Sequence, residues 1–299
     1  MNRPEAAPDA PYRPPSEHYE NFPVASVLCP PRLRAPIAAI YWFARTADDI
    51  ADEGDAPADQ RLDDLSIYRH DLLAIARGQG HCGRWAAVFE PLAAAISEFG
   101  LPTGLLADLL DAFEQDVVFT ATARRYQTDA ELLDYCRRSA NPVGRLLLHL
   151  YGIHDVQAAA QSDLVCTALQ LINFWQDLRR DIARARWYTS VERMSRHGVA
   201  DADLQPDSDS GAAARMVASY ADNARALMLR GTPLAQRLPG RAGWELRLVI
   251  QGGLRILEKM AAMRHATWRS RPTIGGRDLP ILVWRAWRLD YGRGVALPA

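Results

Sequence analysis

The chain has 299 residues, 48% of them hydrophobic, and a formal charge of -1. Length and apolar content support one large domain or two small ones with a sizeable core. The near-neutral balance gives no reason to expect a nucleic acid or other polyanionic partner. The basic side is almost wholly arginine, with Lys259 the single lysine, which reads as genome composition rather than function. Cys29, Cys82, Cys136 and Cys166 are scattered without zinc-ligand spacing, so reduced thiols of a cytoplasmic protein are expected. The N-terminus has no apolar signal-peptide core, and no apolar run reaches 18 residues. At most, peripheral contact with the inner face of a membrane is expected.

Residues 1–15 are proline-rich and read as a disordered lead-in, with 16–299 forming one all-α domain around a central cavity. Pro30, Pro31 and Pro36 predict a turn before a helix from about Ala35 to Glu53, stopped by Gly54 to Pro57. Helical periodicity returns over 60–78, 84–100, 101–119 and 129–152. Leu169 to Tyr188 read as one central helix, and 197–211 as a polar loop. Three further helical stretches follow, over 211–229, 243–268 and 279–289. No run of period-two alternation is long enough to argue for a sheet.

On the central helix Asn173, Asp177 and Asp181 stand at i, i+4 and i+8, with Gln170 one turn earlier. Leu169, Leu171, Ile172 and Phe174 mark this part of the helix as largely buried. A second row, Tyr41, Arg45, Asp48 and Asp52, lies on one face of the first helix. A carboxylate leaves water at a cost of several kcal/mol unless it is paired. Two aspartate pairs on apolar helices therefore ask for cations, and hard oxygen donors suit Mg²⁺ shared with substrate phosphates. The competing reading is a solvated acidic face, which is how Asp49, Glu53 and Asp55 are read.

These rows resemble the paired aspartate-rich motifs of the squalene/phytoene synthase family. The first is Asp48-Asp49-Ile50-Ala51-Asp52; the second runs from Asn173 through Asp177 to Asp181, followed by Arg186 and Tyr188. Arg125-Tyr126, Thr128, Glu131-Leu132, Tyr135-Cys136 and Val143-Gly144 resemble the family's middle segment. The resemblance implies a helical isoprenoid synthase fold, with Mg²⁺ and a diphosphate held by Asp48, Asp52, Asn173, Asp177 and Asp181. It implies that Arg45, Arg186 and Tyr188 contact the diphosphate, with Tyr41 lining the cavity beside it. Phe22, Val143, Gly144, Leu147 and Gln170 would line an apolar channel, although Phe22 and Leu147 equally suit ordinary core. Asp116 aligns with a family aspartate, and a structural ion pair is as good an account of it.

The lead-in His18 to Ser26 and the turn Ser139-Ala140-Asn141-Pro142-Val143-Gly144 are similar to the hydroxysqualene-forming branch of bacterial hopanoid biosynthesis. That similarity implies a lyase-type reaction in which presqualene diphosphate loses diphosphate and gains water; Asn141, polar and near the channel, is a candidate for placing that water. Two alternatives stay open: condensation of two prenyl diphosphates, and a silent scaffold for neighbouring hopanoid-pathway enzymes. No glycine-rich dinucleotide loop appears, which weakens an NADPH-dependent reading. The seven histidines show no ligand pattern. The segment 279–289, with Trp284 and Trp287 beside arginines, suits a packed helix or one resting on a membrane surface.

Overall fold

The computed structural model describes residues 29–288, and these form helices without a strand. Phe22, the proline-rich lead-in and the segment His18 to Ser26 lie outside the described residues. The longer helices are α1 (Pro31–Asp52), α2 (Ala58–Ala76), α3 (Ala86–Phe99) and α4 (Thr103–Ala121), then α5 (Asp129–Ser139), α6 (Asn141–Leu150) and α7 (Val156–Ala183). The shorter α8 (Val191–His197) precedes a 3-10 turn, then α9 (Gly211–Gly231), α10 (Leu234–Arg237), α11 (Gly240–Ala262) and α12 (Leu279–Arg288).

Several boundaries differ from the sequence expectation for identifiable reasons. Helix α1 starts at Pro31, not Ala35, because proline's fixed φ suits the first helical position, where no N–H is needed. The helical stretch 129–152 is two helices broken at Ala140, since Pro142 must sit in a first turn. Helix α7 begins at Val156, where the Asp155 carboxylate caps the backbone N–H groups of Gln157 and Ala158. It ends at Ala183, so Arg186 and Tyr188 belong to the following turn rather than to the helix. The short helices α8 and α10 are too brief to show a period in the sequence.

Two apolar clusters organise the bundle. One joins α1, α2, α3 and α6 around Phe43, Tyr68 and Phe89; the other joins α5, α7, α9 and α11 around Trp175 and Trp268. Helix α4 contributes to both, with Leu106, Leu110 and Val117 in the first and Ala112 in the second. Trp175 stacks on Tyr220 at 3.8 Å, fixing α7 on α9. The close approach of these helices needs Gly231, where a Cβ would meet the Gln161 carbonyl at 2.9 Å and Val165 Cγ2 at 2.6 Å. Helix α1 thus belongs to one core and α7 to the other, with α4 between them.

Candidate functional site

The two aspartate rows converge on α4. Asp116, on its last turns, lies within electrostatic reach of Asp48 on α1 and Asp181 on α7. Burial foremost, then these two carboxylates, push the Asp116 carboxyl up to about 7. Tyr135 donates a hydrogen bond to it at 2.5 Å. The structural ion pair weighed for Asp116 is therefore replaced by a place in the acidic wall. Asp181 is pushed up to about 8, chiefly by burial and then by Asp177. Two carboxylates so destabilised in their charged form mark a concentration of negative charge out of water.

Arginines partly offset that charge. Arg45 binds Asp48 at 3.3 Å and Asp49 at 2.5 Å, so Asp49 is a half-buried partner of Arg45 and not the solvated charge expected. Arg186 donates to Asp52 through both Nη atoms, at 2.6 Å from Nη1, and Arg184 stands 3.8 Å from the same carboxylate. Arg271 grips Asp177 through Nε and Nη2, the latter at 3.1 Å. The Asp52 and Asp177 side chains are only 12% and 14% exposed, which disposes of the solvated-face reading for both; Asp48 keeps 39%.

The turn after α7 places Arg186. Arg186 N–H bonds back to the Asp181 carbonyl at 2.8 Å and Ala185 N–H to that of Ile182 at 3.0 Å, with Ala185 left-handed at φ 58°. This is a Schellman closure with alanine where glycine is usual, at a cost of about 1 kcal/mol. It reverses the chain directly behind Asp181, so Arg186 returns towards α1 and Tyr188 turns inward. Tyr188 stacks on Phe174 at 3.8 Å, and Tyr126 and Tyr135 pack beside it at 6.2 and 5.9 Å. Burial raises the hydroxyls of Tyr188, Tyr135 and Tyr126 above their ordinary range, so they stay protonated donors. A crevice beside this aromatic floor is lined by Asp116, Phe119, Tyr126, Arg186 and Tyr188 among others.

The remaining candidates divide. Tyr41, Gln170 and Asn173 are half-buried on the faces expected, in line with Arg45 and Asp177. Val143 and Leu147 are half-buried on α6, and Leu147 packs against the first core. Gly144 is not an open wall: a Cβ there would meet Ser162 Oγ at 2.3 Å and Cys166 Sγ at 2.6 Å, so it is the contact point of α6 on α7. Asn141 is buried and accepts from Thr167 Oγ1 at 2.9 Å, a bond that accounts for its burial without a water-placing role. Arg271 was not foreseen, because its partner Asp177 is 94 residues away and the segment around it carries no periodic signal. All four cysteines are free.

Among the described residues no three carboxylate, histidine or thiol groups form a ready-made metal cage. The donor set still fits Mg²⁺, which is commonly held by one or two carboxylates with waters and phosphate oxygens completing the shell. The corroborating observation is geometric: Asp116 on α4 stands within electrostatic reach of Asp48 on α1 and Asp181 on α7, so carboxylates from three helices meet at one place.

Residues 16–278 match the family model described as squalene/phytoene synthase. The chain is 34% identical over 245 residues to a hydroxysqualene synthase of Sinorhizobium fredii, covering 82% of this chain and 79% of that protein. It is 36% identical over 232 residues to a hydroxysqualene synthase of Rhodopseudomonas palustris, covering 77% and 75%. The crystal structure of a squalene synthase from Alicyclobacillus acidocaldarius superposes with a TM-score of 0.73 at 33% identity, covering 83% of this chain and 90% of that one. The helical architecture, the converging aspartate rows and these likenesses agree: the chain belongs to the squalene/phytoene synthase family.

Proposed function

We propose that this chain converts presqualene diphosphate and water to hydroxysqualene and diphosphate. The observation that carries the reading is the convergence of Asp48, Asp116 and Asp181 from three helices, in a chain whose relatives include two named hydroxysqualene synthases. Asp48 and Asp52 on α1 with Asn173, Asp177 and Asp181 on α7 would hold Mg²⁺. Bound there, it supplies Lewis-acid stabilisation of the departing diphosphate.

The chain's own groups do the rest. Arg45, and Arg186 once drawn from Asp52, offer planar guanidinium donors to diphosphate oxygens, the geometry best suited to them. The carbon–oxygen bond breaks with its electron pair leaving on the diphosphate. The remaining cyclopropylcarbinyl cation would lie beside the crevice lined by Phe119, Tyr126 and Tyr188, with Phe174 and Tyr135 packed against Tyr188 behind them. Such faces stabilise a desolvated cation by about 1–2 kcal/mol and exclude bulk water. Ring opening and capture of one water, which then loses a proton, complete the exchange. Tyr41, Gln170, Val143 and Leu147 would shape the cavity for the apolar chain.

The test is product analysis with purified protein, Mg²⁺ and presqualene diphosphate without NADPH, beside a run with farnesyl diphosphate alone. Hydroxysqualene from the first and no hydrocarbon from the second is the expected result. Presqualene diphosphate or a phytoene-type hydrocarbon made from prenyl diphosphates would replace this reaction with a condensation. Silence from folded protein in both runs would point to the scaffold.

A further inference from the structure

The outer face of α12 has no part in the site described above. Its inner face packs on α11 through Leu282 and Ala286. Ion pairs hold that face down: Arg285 to Glu258 at 2.6 Å, and, just before the helix, Asp278 to Arg255 at 2.8 Å and to Lys259 at 2.6 Å. At 100° per residue Leu279, Val283, Trp287, Pro280 and Trp284 follow one another as a contiguous stripe, from the edge of the packed face round to Trp284 on the far side. Trp284 is 55% and Trp287 62% exposed, with their rings 5.4 Å apart. Among the described residues, five of the ten exposed large hydrophobic side chains fall on this helix. Single exposed apolar residues are ordinary; their concentration on a ten-residue helix is not.

The charges around the stripe indicate what covers it. Arg277 precedes the first turn and Arg288 ends the last, both exposed, with the Arg288 guanidinium 5.5 Å from the Trp284 ring. Among the described residues the helix contains no carboxylate; Asp278, just before it, is buried and turned to Lys259 and Arg255, and Glu258 is taken by Arg285. A second copy seated here would bring its own Arg277 and Arg288 against these, with no acid on either helix to pair them. Tryptophan beside arginine on an apolar helix face instead suits the headgroup level of an anionic bilayer. We propose that the outer face of α12 docks in the headgroup plane of an anionic membrane surface. The helix is one short segment from the second aspartate row: Gln176 donates to the Pro272 carbonyl at 2.7 Å, and Arg271 is paired with Asp177. Docking therefore brings the site close to the phase in which an apolar prenyl lipid resides.

The test uses the full chain without substrate, so it is read separately from the reaction. Sedimentation is measured with phosphatidylcholine vesicles and with vesicles containing phosphatidylglycerol. The wild type is expected to bind the anionic vesicles only. Trp284→Ser/Trp287→Ser weakens that partition by roughly tenfold or more, and Arg277→Gln/Arg288→Gln by roughly fivefold or more with loss of salt dependence. Thermal melting should be unchanged, since all four side chains are exposed. Absence of wild-type binding, equal binding to both compositions, or tryptophan-variant binding equal to wild type would overturn the inference. So would a wild-type dimer that the tryptophan variant dissociates while vesicles are ignored.

Discussion

Replacing Asp181 with asparagine is expected to stabilise the metal-free chain at pH 8 while reducing turnover by at least about a hundredfold. Burial, then Asp177, push the Asp181 carboxyl up to about 8, whereas an unfolded aspartate titrates near ~3.9. Between those limits the folded chain holds more protons than the unfolded one, so its stability falls as pH rises. The penalty is absent below the unfolded value and complete above the folded one. Asparagine removes the Asp181 share and the part of the Asp116 shift that Asp181 causes, leaving the larger part that burial of Asp116 causes. Melts in chelator at pH 5 and pH 8 should therefore show a smaller drop for Asp181→Asn than for wild type. Added Mg²⁺ should recover the wild type at pH 8 and help the variant less. Equal pH dependence in the two proteins would remove Asp181 from the electrostatic account.

The second large effect concerns the tie between α1 and the turn behind α7. Arg186→Ala leaves the Asp52 carboxylate largely buried with only Arg184, 3.8 Å away, to balance it. Removing one partner of a fully buried pair costs several kcal/mol; with both side chains slightly exposed, about 2–3 kcal/mol is expected. Adding Asp52→Asn should return most of that loss, because the cost lies in the stranded charge rather than in lost packing. Urea unfolding of wild type, both single variants and the double variant measures the coupling directly. Added Mg²⁺ should also stabilise Arg186→Ala, as a cation takes the place of the guanidinium. An Arg186→Ala variant as stable as wild type would show that the pair does not join the two rows.

What could be read from the sequence followed from local period. Asp48 and Asp52, or Asn173, Asp177 and Asp181, share a face wherever the chain is helical, so each row was legible without knowing the fold. Helix boundaries were less legible: Pro31 reads as a breaker but opens α1, and the helical period runs on through Pro142, which in fact opens a new helix, α6. Asp49 was misjudged although it stands at i+4 from Arg45, a spacing that pairs the two across one helix turn just as i+3 pairs Arg45 with Asp48. Gly144 was placed in the channel wall, whereas the crossing of α6 on α7 that occupies it depends on Ser162 and Cys166 in another helix. Asp116 and Arg271 enter the site only when distant segments meet: α4 between the two cores, and the stretch before α12 along α7. The exposed tryptophans of α12 were visible in the sequence, but which face of that helix packs was not.

The most direct test of one site built from two rows is single-turnover release of diphosphate from presqualene diphosphate with Mg²⁺. It compares wild type, Asp48→Asn, Asp177→Asn and the double variant, each shown to be folded by circular dichroism. If the rows act together on one diphosphate, each single variant loses at least about a hundredfold and the double variant scarcely more, since groups acting as a unit are not additive. A near-wild-type rate from either single variant would show that its row takes no part in the chemistry.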